Sequence, residues 1–246
     1  MKLSKSLHFT LPRLYKHRSI RPLTLARPIV AEGLGSAMLL AVVVGSGITA
    51  ERLASGNGAL ALLANAIASG AGLAALILMF GAISGAHFNP VVSLSEAWQG
   101  NMPVPEVAAY IAVQVAGAFA GVAAAHMMFG DPLFFASQHA RTGPAQWWSE
   151  FVATFGLIAV KIGVSRSRPG ATPFAVAAYI TAAYWFTSST SFANPAETLA
   201  LSATNTFTGI RPVDAPGFII AQLAGAGAAT LLLCWLYPQS QDTSNG

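Results

Sequence analysis

Ser84-Gly85-Ala86-His87-Phe88-Asn89-Pro90-Val91-Val92-Ser93 and Ser191-Phe192-Ala193-Asn194-Pro195-Ala196-Glu197 are the two stretches that decide the fold. Asn is a good helix N-cap and Pro is favoured at the first helical position, so Asn-Pro starts a helix abruptly. The apolar runs that follow, Asn89–Trp98 and Asn194–Ala203, are about ten residues long. Ten helical residues reach about 15 Å, half the thickness of a bilayer's hydrocarbon. Such a segment is tolerated at that depth only where it is buried in protein or lines a water-filled path. A single Asn-Pro is a common turn signal. Two copies at matching places in a duplicated chain are far more specific.

The rest of the chain supplies the membrane setting. Of 246 residues, 54% are hydrophobic and only 9% charged, against roughly 25% charged in soluble domains. Six apolar runs are long enough to be read as spans: Ile29–Ala50, Ala59–Ala82, Pro105–Met128, Trp147–Ser165, Phe174–Thr187 and Pro216–Leu236. The expected fold is therefore an all-α membrane protein of six transmembrane helices plus two re-entrant half-helices. A P-loop, an H-E-x-x-H and a G-x-S-x-G are all missing, which argues against an enzyme. His126 beside Met127 and Met128 suggests either a soft-metal site or packing, and packing is the commoner use. No cofactor and no metal is expected. The lone Cys234 reads as a packing residue.

The second half repeats the first. Glu32 near the start of span one is echoed by Glu150 in span four, Asn89 by Asn194, and Gln114 in span three by Gln222 in span six, at separations of 118, 105 and 108 residues. Three spans per copy is odd, so the copies lie in opposite orientations, an inverted repeat with its site near the midplane. Two helix N-termini then meet there, their partial positive ends repelling cations. Glu32 and Glu150 are expensive inside apolar helices unless they face the interior and find partners. Each is expected to hold the backbone N–H groups of its own repeat's re-entrant loop, with Gln114 and Gln222 bracing the same loops. Gly117, Gly121 and Gly225 are read as close-approach packing positions.

Charge placement suggests topology. Lys2, Lys5, Arg13, Lys16, Arg18, Arg21 and Arg27 precede span one, and Lys161, Arg166 and Arg168 close span four; Arg52, Arg141 and Arg211 fall on the other side. Ten against three is a positive-inside bias that places both termini in the cytoplasm. These clusters meet anionic lipid, and a nucleic-acid partner is not expected.

Residues 84–93 resemble S-G-A-H-x-N-P-A-V-T, the first signature loop of the aquaporin (major intrinsic protein) family, and Asn194-Pro195-Ala196 matches the second. The resemblance runs from about Ile29 to Leu236. It implies a passive channel, usually a homotetramer with one pore per subunit, in a lipid bilayer that here would be a bacterial plasma membrane. It divides the chain into a basic cytoplasmic extension (1–28), a channel domain (29–236, repeats about 29–128 and 147–236) and a cytoplasmic tail (237–246). Asn89, Pro90, Val91, Asn194, Pro195 and Ala196 would form the pore centre, with His87 shaping the inner half. Members usually carry Arg directly after the second Asn-Pro-Ala; Glu197 stands there instead. By spacing, the remaining filter positions are Ser69, Ala182 and Ser191, all small.

Small walls and a missing guanidinium imply a filter wider than one for water alone. The expected solutes are water and small neutral molecules such as glycerol, urea or metalloid acids such as arsenite, as in a bacterial subgroup with the filter arginine replaced. Glu197 has three readings: an ionised group that attracts cations, a neutral hydrogen-bonding group, or the partner of Arg211 folding back as a filter accessory. A strict water channel, a coupled secondary transporter and a non-conducting adhesion role are the alternatives.

Overall fold

Local punctuation sets the helix boundaries. The structure, a computed structural model, describes residues 25–237, and among them all regular structure is helical. The helices are α1 (Ala26–Leu53), α2 (Gly58–Ser84), α3 (Pro90–Trp98), α4 (Val104–Phe129), α5 (Pro144–Ser167), α6 (Thr172–Phe186), α7 (Pro195–Leu201) and α8 (Ala215–Leu236), with a short 3-10 turn at Pro169–Ala171. Asn57 opens α2 by accepting from Leu60 N at 3.1 Å. Proline occupies the first turn of α3 to α8. Gly85 and Gly130 end α2 and α4 in the left-handed region, where a side chain would clash.

The six expected spans fall on α1, α2, α4, α5, α6 and α8, and the half-helices on α3 and α7, with ends shifted by at most three residues. Five of the helices are long and apolar enough to cross a membrane. With 15 residues, α6 reaches about 22 Å by itself. The N-terminal extension was expected to run to residue 28, but α1 already begins at Ala26. Lys2, Lys5, Arg13, Lys16, Arg18 and Arg21, and all of the tail but Tyr237, lie outside the described residues.

Packing repeats as the sequence does. Helix α1 packs on α2 and α4, and α5 packs on α6 and α8; α3 lies against α4 and α8, and α7 against α8 and α4. The halves join where α2 meets α6, where α4 meets α7, and where α3 meets α8 and α7. Close approach within each half depends on glycine. A Cβ on Gly117 would stand 2.2 Å from Gly33 O, and one on Gly225 2.4 Å from Phe151 O. The small residue in α4 thus admits α1, and its counterpart in α8 admits α5.

The segment between α4 and α5 folds back over the end of the bundle that carries Arg52, Arg141 and Arg211, hereafter, by the orientation expected from charge placement, the outer end. Phe135 N donates to Ala203 O at 3.0 Å and Ser137 N to Ser202 O at 3.1 Å, while Arg211 N donates to His139 O at 2.9 Å. His126 is buried, one ring nitrogen 2.8 Å from Leu133 O and the other 2.8 Å from Thr204 Oγ1. Both ring nitrogens are thus used in pinning this segment, while Met127 and Met128 point outward and are exposed. Packing accounts for the trio.

Candidate functional site

Each re-entrant loop hangs on one buried carboxylate. Glu32 Oε1 accepts from His87 N at 2.9 Å and Oε2 from Phe88 N at 2.7 Å. Glu150 repeats this on Phe192 N at 3.0 Å and Ala193 N at 2.9 Å. Gln114 Nε2 donates to Glu32 at 2.8 Å and to Ser93 Oγ at 3.0 Å. Gln222 Nε2 donates to Glu150 at 2.6 Å and to Thr198 Oγ1 at 2.8 Å. All four side chains are fully buried. The loops need this support because non-glycine residues sit at positive φ: Ala86 and Phe88 in one, Ser191 and Ala193 in the other. Each such residue costs about 1–2 kcal/mol. His87 Nδ1 lies 3.0 Å from Ser93 Oγ, which fixes the imidazole against α3.

The two asparagines are joined reciprocally. Asn89 Oδ1 caps α3 by accepting from Val91 N, and Asn194 Oδ1 caps α7 by accepting from Ala196 N, both at 3.0 Å. Asn89 Nδ2 donates across the repeats to Ala193 O at 2.8 Å, and Asn194 Nδ2 to Phe88 O at 2.9 Å. An amide nitrogen has two hydrogens. One is thus committed on each Asn, and one remains for a solute oxygen. Pro90, Val91, Pro195 and Ala196 are all buried behind them, where the half-helices meet.

Two cavities lie within the bundle. One of about 90 Å³ is lined by His87, Asn89, Asn194, Lys161, Ser69 and Ser191 among others. A second, of about 210 Å³ at the outer end, is lined by Asn65, Arg141, Thr190, Phe207 and Thr208 among others. Val43, Tyr184, Phe192 and Glu197 line both and form their junction. Glu197 is 7% exposed, and among the described residues its carboxylate has no hydrogen-bond or ion-pair partner. The buried hydroxyls of Ser191 and Thr208 also lack one. Ser191 borders the smaller cavity and Thr208 the larger, so the acceptors at the junction that no protein group consumes are the carboxyl oxygens of Glu197.

Three placements add to or depart from the expectations. Ala182 is exposed on the outside of α6 and lines neither cavity. Tyr184, two residues on and about 200° around the helix, faces inward instead, on the same α6 stripe as Thr172, Val176 and Ile180; its hydroxyl donates to Ser69 Oγ at 3.2 Å. The wall is therefore small at Ser69 and Ser191 but bulky at α6. Arg211 does not fold back on Glu197: its Nε donates to Asp214 Oδ2 at 2.8 Å. Lys161, read as a topology determinant, lines the smaller cavity and is ion-paired with Glu96.

Sequence reasoning missed Arg141 as a cavity residue. Its Nε donates to Gly209 O at 2.8 Å, and Nη1 donates to Ser189 O at 3.1 Å and Thr190 Oγ1 at 3.2 Å. The guanidinium carbon lies 5.0 Å from the centroid of the Phe192 ring. Burial lowers its pKa from the usual arginine value, but a guanidinium stays charged at neutral pH. The available signal was scarcity, since Arg141 is one of only three basic residues assigned to the outer side.

Comparisons with known proteins agree with this architecture. A model of the major intrinsic protein family matches residues 19–184. The chain is 56% identical over 212 residues to a Rhizobium meliloti protein named aquaglyceroporin AqpS, an alignment covering 86% of this chain and 91% of the relative. It is 30% identical to a maize protein named aquaporin NIP2-2, over 91% of this chain and 77% of that one. The X-ray structure of the aquaglyceroporin from Plasmodium falciparum superposes with a TM-score of 0.65 at 20% identity, over 88% of this chain and 97% of that one, a likeness of fold. The chain belongs to the major intrinsic protein family and is an integral membrane channel protein, not an enzyme.

Proposed function

We propose that this chain conducts water and small neutral solutes passively, with glycerol and urea as the general substrates and undissociated metalloid acids such as arsenous acid as a narrower specialisation. The observation that carries the reading is the junction of the two cavities, where the two carboxyl oxygens of Glu197 stand without a hydrogen-bond partner among the described residues. Neutral molecules rich in O–H or N–H groups lose water on entering a dry passage, and these acceptors replace it. Asn89 and Asn194 each add one free N–H at the centre, so a solute oxygen finds donors next. The name of the 56% identical relative supports the same substrate class.

In this reading Ser69, Ser191, Glu197 and Tyr184 form the filter, with Tyr184 in the place first given to Ala182. Tyr184 also supports a second reading, a strict water channel, because its ring narrows a wall expected to be small. Stopped-flow light scattering on proteoliposomes separates the two. Fast glycerol or urea entry in the parent, lost in Glu197→Arg, is the expected result; water flow alone in both would overturn the solute reading. Uptake that persists when proton and sodium gradients are collapsed excludes coupled transport.

The chain further resides, in this proposal, as a homotetramer in a bacterial plasma membrane with both termini cytoplasmic. The ten-to-three distribution of basic residues supports the orientation. Reporter fusions at each terminus, and crosslinking in native membranes, test orientation and assembly separately.

A further inference from the structure

Besides His87 and Tyr184, three ionisable side chains line the two cavities, and each is partnered differently. Lys161 is joined to Glu96 by an ion pair. Glu197 has no partner among the described residues. Arg141 is held wholly by neutral groups: the carbonyl oxygens of Gly209, Ser189 and Phe207 and the hydroxyl of Thr190. Among the described residues no carboxylate comes within ion-pair distance of it. Carbonyl oxygens satisfy the N–H donors of a guanidinium without cancelling its charge. No ion pair cancels the charge, although the buried Glu150 acts on it from a distance; positive charge therefore remains beside Phe192, one of the four residues that line both cavities.

The position of this charge is fixed from outside as well. Arg141 N donates to Asp214 Oδ2 at 2.9 Å, the same oxygen that accepts from Arg211 Nε. Arg211 and Asp214 thus neutralise one another and anchor the loop, and Arg141 is left to carry the net charge inward. Low-dielectric walls extend the reach of a fixed charge in a narrow cleft.

We propose that Arg141 is a barrier to cations in the pore, its charge supplied by the segment between α4 and α5 and not by the half-helix. The proposal rests on reading the two cavities as the conducting path. Guanidinium and urea make the matched probe, since they are nearly the same size and shape and differ in charge. Their relative uptake would be measured in proteoliposomes holding the parent, Arg141→Gln, Arg141→Lys and Glu197→Gln. Arg141→Gln is expected to raise the guanidinium-to-urea ratio about tenfold or more. Arg141→Lys should stay close to the parent, and Glu197→Gln should not rise above it.

A parental ratio in Arg141→Gln liposomes that still pass urea overturns the proposal. Should loss of the clamp close Arg141→Gln to both probes, Glu197→Gln decides, because it leaves Arg141 and its loop intact. A ratio there that rises is also fatal. If the parent passes water but no urea, the neutral-solute reading fails on its own. Arg141 is then judged by potassium current per unit of water permeability: a rise in Arg141→Gln supports the barrier and no rise removes it.

Discussion

The two re-entrant loops, residues 84–93 and 189–198, share one skeleton and differ at two decisive side chains. Ser84, Phe88, Asn89 and Ser93 have direct counterparts in Ser189, Ala193, Asn194 and Thr198, and each set is tied to a glutamate and a glutamine of its own repeat. Positive φ recurs at Ala86 and Ser191, and at Phe88 and Ala193. Against this, His87 is matched by Phe192 and Val92 by Glu197. Duplication thus preserved what a strained loop needs in order to exist, and changed what faces the passage. His87 and Val92 give one side of the smaller cavity a polar ring and an aliphatic wall. Phe192 and Glu197 give the other an aromatic platform for Arg141 and an unpartnered carboxylate.

The largest effects should come from the shared skeleton. Glu150→Ala strips acceptors from two buried backbone N–H groups and from Gln222, at about 1–3 kcal/mol for each group left bare. Glu32→Ala does the same to the first loop. Neither variant should be recovered as monodisperse protein after detergent extraction, as judged by size-exclusion chromatography; normal recovery of either would break the parallel.

Next in size are Asn89→Ala and Asn194→Ala. Each loses an N-cap worth about 1 kcal/mol and a cross-repeat hydrogen bond worth about another. Their melting temperatures should fall by similar amounts in a thermal unfolding series. A large difference between them would mean that one half-helix leans on supports the other lacks.

The smallest effect on stability is expected where the loops diverge. Glu197→Gln removes a buried carboxylate that makes no hydrogen bond, so its melting temperature should hold or rise. Glu150→Gln, by contrast, exchanges one acceptor oxygen of a fully used carboxylate for a donor and should lower it. A loss of stability in Glu197→Gln as deep as in Glu150→Gln would show that Glu197 belongs to the skeleton after all. Unaltered solute selectivity in Glu197→Gln would equally count against its place in the filter.

Much of this was legible in the residues themselves. Sparse charge and long apolar runs require a membrane, because too little polar surface exists to face water. Asn-Pro starts a helix wherever it occurs, and ten residues cannot cross the hydrocarbon. A glutamate in an apolar helix must find partners, and the nearest strained loop of the same repeat has backbone N–H groups to offer. These inferences depend on local chemistry and on a repeat visible in the chain.

What tertiary structure alone decided is which side chains line the passage. On a helix, an error of two residues rotates a side chain by about 200°, which is why Tyr184 and not Ala182 faces inward. Choosing between Arg141 and Arg211 depended on where a loop comes to rest. Its anchors, Ser189, Gly209 and Asp214, are 48 to 73 residues from Arg141 in sequence. Helical rotation and long-range loop contacts are set by packing between distant segments, and no pattern within either segment encodes them.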